Sequence, residues 1–446
     1  MSRSRIATPA DQPLTTTARG RFSEVAIVAA IGIAVAVASL IFQRQLTVNN
    51  GHGWDGNFYY MMAEQAGDGQ RLTTEAPFVY RILVPLMAAV VSPNDYMQGF
   101  QIVNAVAIAV MIVLMIVWFR LYVSSVPIRI ALIALFLTAW AGPLRSYFWY
   151  PVLVDYWLLP ALLAGLLIVE KMRRGGRLAI WLPILCAVSI FAATVREAGL
   201  LVPLAALFTF NPISGRGKDL RAKLRGFLSI RPLLAIPALA GGITLVGIRV
   251  LVVTTGAYGF LISAGHWLIY KRLDIYALGW FVAFGPVLIL PIFYWRACLQ
   301  FLRLHQAIAA FLVGLVGIAW IGGADTERFL FWGAPVIYLM IGLGLQELAC
   351  ERPRVAFIAI LVILQAVSAR LFWVLPAAAV APSQVSETVV LTPIGTNIAI
   401  DNVTASDAAT SVQLASEFEY LLIAVLLLGM LIWMRRRRQL VSRVES

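Results

Sequence analysis

LAIWLPILCAVSIFAATVREAGLLVPLAALFTF, residues 178–210, carries a single charge pair, Arg196-Glu197, in an otherwise uncharged stretch. As one α-helix it would run about 50 Å at 1.5 Å per residue, well past a hydrocarbon core of ~30 Å. The chain therefore turns near Arg196-Glu197. The stretch reads as two membrane spans back to back, with the ion pair at the turn.

The rest of the sequence agrees. Of its 446 residues, 61% are hydrophobic and 13% charged, and the mean hydropathy is +0.85. A soluble chain carries about a quarter charged residues. Further apolar runs bounded by charges, Pro or Gly lie at 23–43, 96–118, 128–141, 152–169, 232–252, 276–295, 305–321, 329–347, 355–375 and 418–434. With the two spans already read at 178–194 and 197–211, this predicts an all-α polytopic membrane protein of about twelve transmembrane helices. The run RILVPLMAAVVS (81–92) is too short to cross and holds Pro85, so it is expected to lie at, or dip into, one face.

The formal net charge of +13 is distributed as short basic clusters between apolar runs. With the N-terminus in the cytoplasm, most of the Lys and Arg fall on inside segments, ending with Arg435 to Arg438, so both termini are expected to be cytoplasmic. No nucleic-acid motif or phosphate-binding GxxxxGK[ST] is present. Cys186, Cys298 and Cys350 show no metal-ligand spacing, and none falls on an outside segment. Residues 1–22 read as a disordered cytoplasmic tail and 23–375 as the transmembrane core, with a first outer loop at 44–95. Residues 376–417 read as an extracytoplasmic loop, and 418–446 as a last span with a basic cytoplasmic tail.

This threading brings five chemically rich stretches to the outer face. In GHGWDGNFYY (51–60), three glycines free the backbone to turn and Asp55 stands among aromatic rings. Two readings fit: a turn residue in an interfacial aromatic belt, or a general base with Trp54, Tyr59 and Tyr60 as a sugar-stacking wall. His52, three residues earlier, lacks further ligands nearby for a metal. Arg81, in PFVYRILVP, is either a snorkelling interfacial arginine or a phosphate clamp. Arg196 and Glu197 form either a structural ion pair or a phosphate contact beside a hydrogen-bonding acid. In GGADTERFLFWGAP (322–335), Asp325 and Arg328 fit a solvated, helix-capping turn, or a sugar-hydroxyl and phosphate contact. Asp155, in YPVLVDYWLLP, sits just inside a span. It is expected to face a cavity or to pair with Arg145, Arg196 or Arg328.

WDGNFYY…PFVYRILVPLM, TVREAGLLVPL and DTERFLFWGAP, with an acid directly after the first span, resemble the GT-C superfamily of integral-membrane glycosyltransferases. They are also similar to a largely uncharacterised bacterial membrane-protein group near it. The resemblance implies a sugar donor on a polyprenyl-phosphate carrier, an unidentified extracytoplasmic acceptor, and a site on the outer side of a bacterial inner membrane. It implies Asp55 as catalytic base, and Arg81, Arg196 and Arg328 as contacts to the carrier phosphate. The commoner family pattern has two adjacent acids in that loop. Here Asp55 stands alone, with Glu64, Asp68 and Glu75 further on, so a divalent metal has no ligand motif to support it.

Other readings stay open: a transporter or flippase, a polymerase or ligase of envelope polysaccharide, or a non-catalytic assembly protein. Against transport, nothing in residues 230–446 echoes WDGNFYY or YRILVP. Asp55 facing Arg196 or Arg328 would favour transfer.

Overall fold

The computed structural model describes residues 18–43, 45–139, 141–209, 220–256, 258–323, 326–349, 354–368, 418–434 and 436. The expected outer loop at 376–417, most of the N-terminal tail and nearly all of the basic C-terminal tail lie outside the described residues.

The described chain is almost wholly helical. Helix α1 (Ala18–Phe42) leads into a folded segment comprising α2 (Asp55–Gly67), a 3-10 turn (Phe78–Tyr80) and α3 (Leu83–Val91). Next come α4 (Tyr96–Tyr122), α5 (Val126–Thr138), α6 (Pro143–Trp149), α7 (Asp155–Arg173) and α8 (Leu178–Val195). A 3-10 turn (Glu197–Leu200) and α9 (Leu201–Ala206) follow, then α10 (Leu220–Leu251), α11 (Phe260–Tyr270) and α12 (Leu273–Phe284). After a further 3-10 turn (Pro286–Leu288) come α13 (Ile289–Phe293), α14 (Trp295–Leu304), α15 (Gln306–Ile321), α16 (Thr326–Phe331), α17 (Ala334–Ala349) and α18 (Arg354–Ser368). A last helix, α19, spans Phe418–Met434. β1 (Thr73–Thr74) pairs in parallel with β2 (Val253–Thr254), tying the segment after α1 to the end of α10.

The interior is apolar, as in a water-soluble protein, but the exterior is apolar too, and a few charged side chains are buried. Outward positions such as Ile33, Ile243, Val250 and Val313 are apolar and well exposed, while Glu24, Arg81, Arg129 and Arg196 are buried. Large exposed apolar surface of this kind suits contact with lipid. Among the described residues, five stretches are long and apolar enough to cross a membrane: Ser23–Phe42, Tyr96–Tyr122, Val126–Trp149, Leu178–Val195 and Pro232–Leu251. Two bent pairs bring the number to seven if each pair is one crossing.

The other expected spans take different forms. The run at 197–211 becomes a 3-10 turn and a six-residue helix, together about half a bilayer deep. The run at 276–295 breaks at Gly285 with a bend of 106°, and the run at 305–321 meets α14 at 113°. Apolar composition signals burial in lipid but is indifferent to whether the helix continues. The short run at 81–92 gives α3, nine residues long and packed on α2 and α4.

At the end of the bundle where α4 terminates, the carboxylate of Glu24 holds three elements together. It accepts from Arg120 Nη2 at 2.9 Å and from Arg129 Nε at 2.7 Å, joining α1 to α4 and α5. Trp118 Nε1 donates to the Pro335 carbonyl at 2.8 Å and ties α4 to the start of α17.

Candidate functional site

The site is built at the opposite end of α7, where helix ends from distant parts of the chain meet. Its first component is the turn before α2. Gly53 has φ +69°, the left-handed region that a side chain resists. A Cβ at Gly53 would overlap the Tyr150 ring, and one at Gly56 would stand 2.8 Å from Tyr150 Cε2. The bare backbone lets Tyr150 lie beneath the turn, where its hydroxyl accepts a hydrogen bond from the Gly56 N–H at 2.7 Å. That bond satisfies one of the donors orphaned at a helix start. Asp55 is the first residue of α2, where the helix dipole favours a negative charge.

Asp155 opens α7 in the same way. The irregular backbone before it is held by Asn104, a wholly buried amide in the middle of α4. Asn104 Nδ2 donates to the carbonyls of Pro151 at 2.6 Å and Leu153 at 3.0 Å. Tyr156 adds a hydrogen bond from its hydroxyl to the Tyr150 carbonyl at 3.1 Å.

Three arginines complete the cluster. Arg196, at the end of α8, reaches Asp155 Oδ1 at 2.9 Å and Oδ2 at 3.1 Å through Nη1. Its guanidinium stacks 4.6 Å from the Trp332 ring centre and 5.4 Å from that of Phe329. Arg328, on α16, donates from Nη2 to Asp155 Oδ2 at 2.6 Å and from Nη1 to Asp55 Oδ2 at 2.9 Å. Trp332 Nε1 donates to Asp155 Oδ1 at 2.9 Å. Arg81 donates from Nη1 to the Tyr59 hydroxyl at 2.7 Å and lies 3.3 Å from Glu197 Oε2 through Nε.

The cluster is graded in exposure. The Arg81 and Arg196 side chains are 6% and 7% exposed, whereas Asp55 and Glu197 reach 25% and 31%, so a ligand arriving from solvent meets the two acids first. Burial works against the charge on Arg81, but Glu197, Tyr59 and Asp55 outweigh it and hold its guanidinium above the ordinary arginine value. Burial pushes the Tyr59 phenol up, so it stays protonated.

Of the residues singled out in the sequence, Asp55, Arg81, Asp155, Arg196, Glu197 and Arg328 are therefore brought together. Asp155 takes two of its three expected partners, Arg196 and Arg328. Asp325 lies outside the described residues. The three rings expected to form a sugar wall divide. Trp54 is exposed and edges onto Trp149 and Tyr150. Tyr60 packs face to face with His52, centroids 3.6 Å apart. Tyr59 is fully buried with its hydroxyl on Arg81, so neither face of its ring is open to a sugar. Among the described residues no group of three or more His, Cys, Asp or Glu, with His52 or without it, could hold a metal ion.

Four contributors were not read from the sequence: Tyr150, Asn104, Trp332 and Lys271. Lys271 Nζ donates to the carbonyls of Ala319 at 2.9 Å and Gly323 at 2.6 Å and to Thr326 Oγ1 at 2.8 Å, fixing the turn that carries Arg328. Asn104 did carry a signal, as the deepest of three amides, after Gln98 and Gln101, inside an apolar span.

Comparison with protein-family models, curated proteins and solved structures gives no match to this chain.

Proposed function

We propose that the protein is a GT-C-like membrane glycosyltransferase with about twelve crossings and both termini in the cytoplasm. It moves a sugar from a polyprenyl-phosphate carrier to an acceptor hydroxyl at the extracytoplasmic face of a bacterial inner membrane. One observation carries this reading: Arg328 is shared between Asp55, the more open of these two carboxylates, and Asp155, which also binds Arg196. A guanidinium that holds a carboxylate at the rim of a buried cluster has the geometry to hold a phosphate instead.

The chemistry follows from that exchange. A phosphate oxygen that takes over Arg328 Nη1 leaves the Asp55 carboxylate free to accept the proton of the acceptor hydroxyl. The acceptor oxygen attacks the anomeric carbon from the face opposite the carrier. The bond from that carbon to the carrier oxygen breaks, its electron pair leaves with the phosphate, and the anomeric configuration inverts. Arg328, with Arg196 and Arg81 behind it, stabilises the charge that grows on the leaving phosphate. The apolar chain of the carrier has a surface to follow: no residue of α11 is buried, and Lys271 at its end holds the turn before Arg328.

The test is sugar transfer from a radiolabelled polyprenyl-phosphate sugar pool in membranes, with wild type and Asp55→Asn at matched expression. Loss of transfer in a folded variant supports the reading; equal transfer sinks the role of Asp55. A second reading, a multi-pass transporter or flippase of a lipid-linked or small anionic substrate, is favoured by the two sharply bent helix pairs. Uptake without any transfer product would select it.

A further inference from the structure

The break at the end of α12 involves none of the charged groups of the arginine cluster and has its own chemistry. Gly285 sits at φ +70°, and the next segment departs at 106°. Residues 282–291, on both sides of the break, are buried. A helix that stops in an apolar interior leaves its last carbonyls to find other partners. The Gly285 N–H goes back to the Phe281 carbonyl at 2.6 Å, and the Leu288 N–H to the Gly285 carbonyl at 3.2 Å. The Val282 carbonyl loses its helical donor outright, because the residue four places on is Pro286, which has no N–H.

Against this break lies Gln365 of α18. Its side chain is wholly buried, and neither Oε1 nor Nε2 has a hydrogen-bond partner. A Cβ at Gly285 would overlap Oε1, so the amide rests directly on the backbone at the break. Phe357, Leu361 and Gln365 follow one another at four-residue spacing along the buried stripe of α18, so an apolar residue would fit this position. A buried amide without partners costs free energy that such a residue would not, and its retention calls for a reason.

The groups gathered here are neutral, the Gln365 amide and backbone carbonyls at the negative end of a helix dipole, and the oxygens among them can act as cation ligands. That donor set suits an ion of single charge, since divalent ions call on carboxylates. We propose that the break binds a monovalent alkali cation, held by Gln365 Oε1 and the carbonyls at the end of α12. Inside a bilayer, broken helices commonly present such half-helix ends to ions. The inference does not rest on the sugar-transfer reading.

The experiment is thermal unfolding of the purified full chain in detergent, followed by tryptophan fluorescence. N-methylglucamine chloride is replaced stepwise by NaCl, LiCl or KCl at constant ionic strength. Wild type is expected to gain roughly 2–4 °C in Tm, saturably, with at least one of the three ions. Gln365→Leu is expected to lose that gain while matching or exceeding the wild-type Tm without the ion. Gln365→Glu, which keeps an oxygen in place, is expected to retain the gain. A flat wild-type response to all three ions overturns the proposal, as does a Gln365→Leu variant that responds like wild type. Should Gln365→Leu fail to fold, the wild-type titration and Gln365→Glu still decide.

Discussion

The hydroxyl of Tyr150 accepts the backbone N–H of Gly56 at 2.7 Å, across 94 residues of sequence. This bond seats the start of α2, and with it Asp55, on the loop that leads to Asp155. Tyr150→Phe strands a buried N–H and is expected to cost about 1–3 kcal/mol. Gly53→Ala adds both a clash with the ring and a strained backbone, so it is expected to cost more. Thermal unfolding in detergent orders the two; a Gly53→Ala variant as stable as wild type would refute the packing described here.

Asp155 and Asp55 share Arg328 but differ in what their loss leaves behind. Asp155→Asn removes the mostly buried carboxylate shared by two arginines and is expected to destabilise by about 3 kcal/mol. Asp55→Asn, at a more open position, is expected to leave Tm within a few degrees of wild type while lowering sugar transfer about 10²- to 10⁴-fold. The opposite pattern, a stable Asp155→Asn and an unfolded Asp55→Asn, would reverse the roles assigned to them.

Glu24 is expected to act as the anchor of α1. Glu24→Gln leaves Arg120 and Arg129 without their carboxylate, at a site where Glu24 and Arg129 are almost fully buried. A loss of about 3 kcal/mol is expected, together with faster proteolysis within α1 in bicelles. Unchanged protection would mean that lipid contact alone retains this helix.

His52 makes stability fall in mild acid. Burial lowers its pKa below the ordinary value, against the opposing pull of Asn57 and Glu64. The folded state therefore favours the neutral ring, stacked on Tyr60. Its contribution to stability is complete above the unfolded value of about 6.5 and is lost as pH falls through the lower folded value. Wild-type Tm is expected to decline between pH 7 and 5 by an increment that His52→Phe lacks; identical pH profiles would count against it.

Much of the charged cluster was legible because charge is expensive in an apolar chain. Asp55, Arg81 and Asp155 each lacked a local partner, so a meeting with charges from elsewhere in the chain could be expected from cost alone. The break at Gly285 was not legible: the run around it is as apolar as those that continue straight, and hydropathy does not register a bend. Nor does sequence say which face a ring presents: Tyr59 and Tyr60 are neighbours on α2, yet one turns inward to Arg81 and the other outward to His52. Tyr150 could not be tied to Gly56 without knowing that the loop before α7 passes beneath α2.

The cluster has one more consequence. Arg81, Arg196 and Arg328 are matched by Asp55, Asp155 and Glu197, so the six groups carry no net charge between them. Their field is that of paired dipoles, which fades within a few ångströms, short of the Debye length of ~8 Å at physiological salt. The cluster itself therefore does not draw an anionic ligand in from afar. It exchanges partners at contact, and it adds little of its own to any dependence of capture on ionic strength.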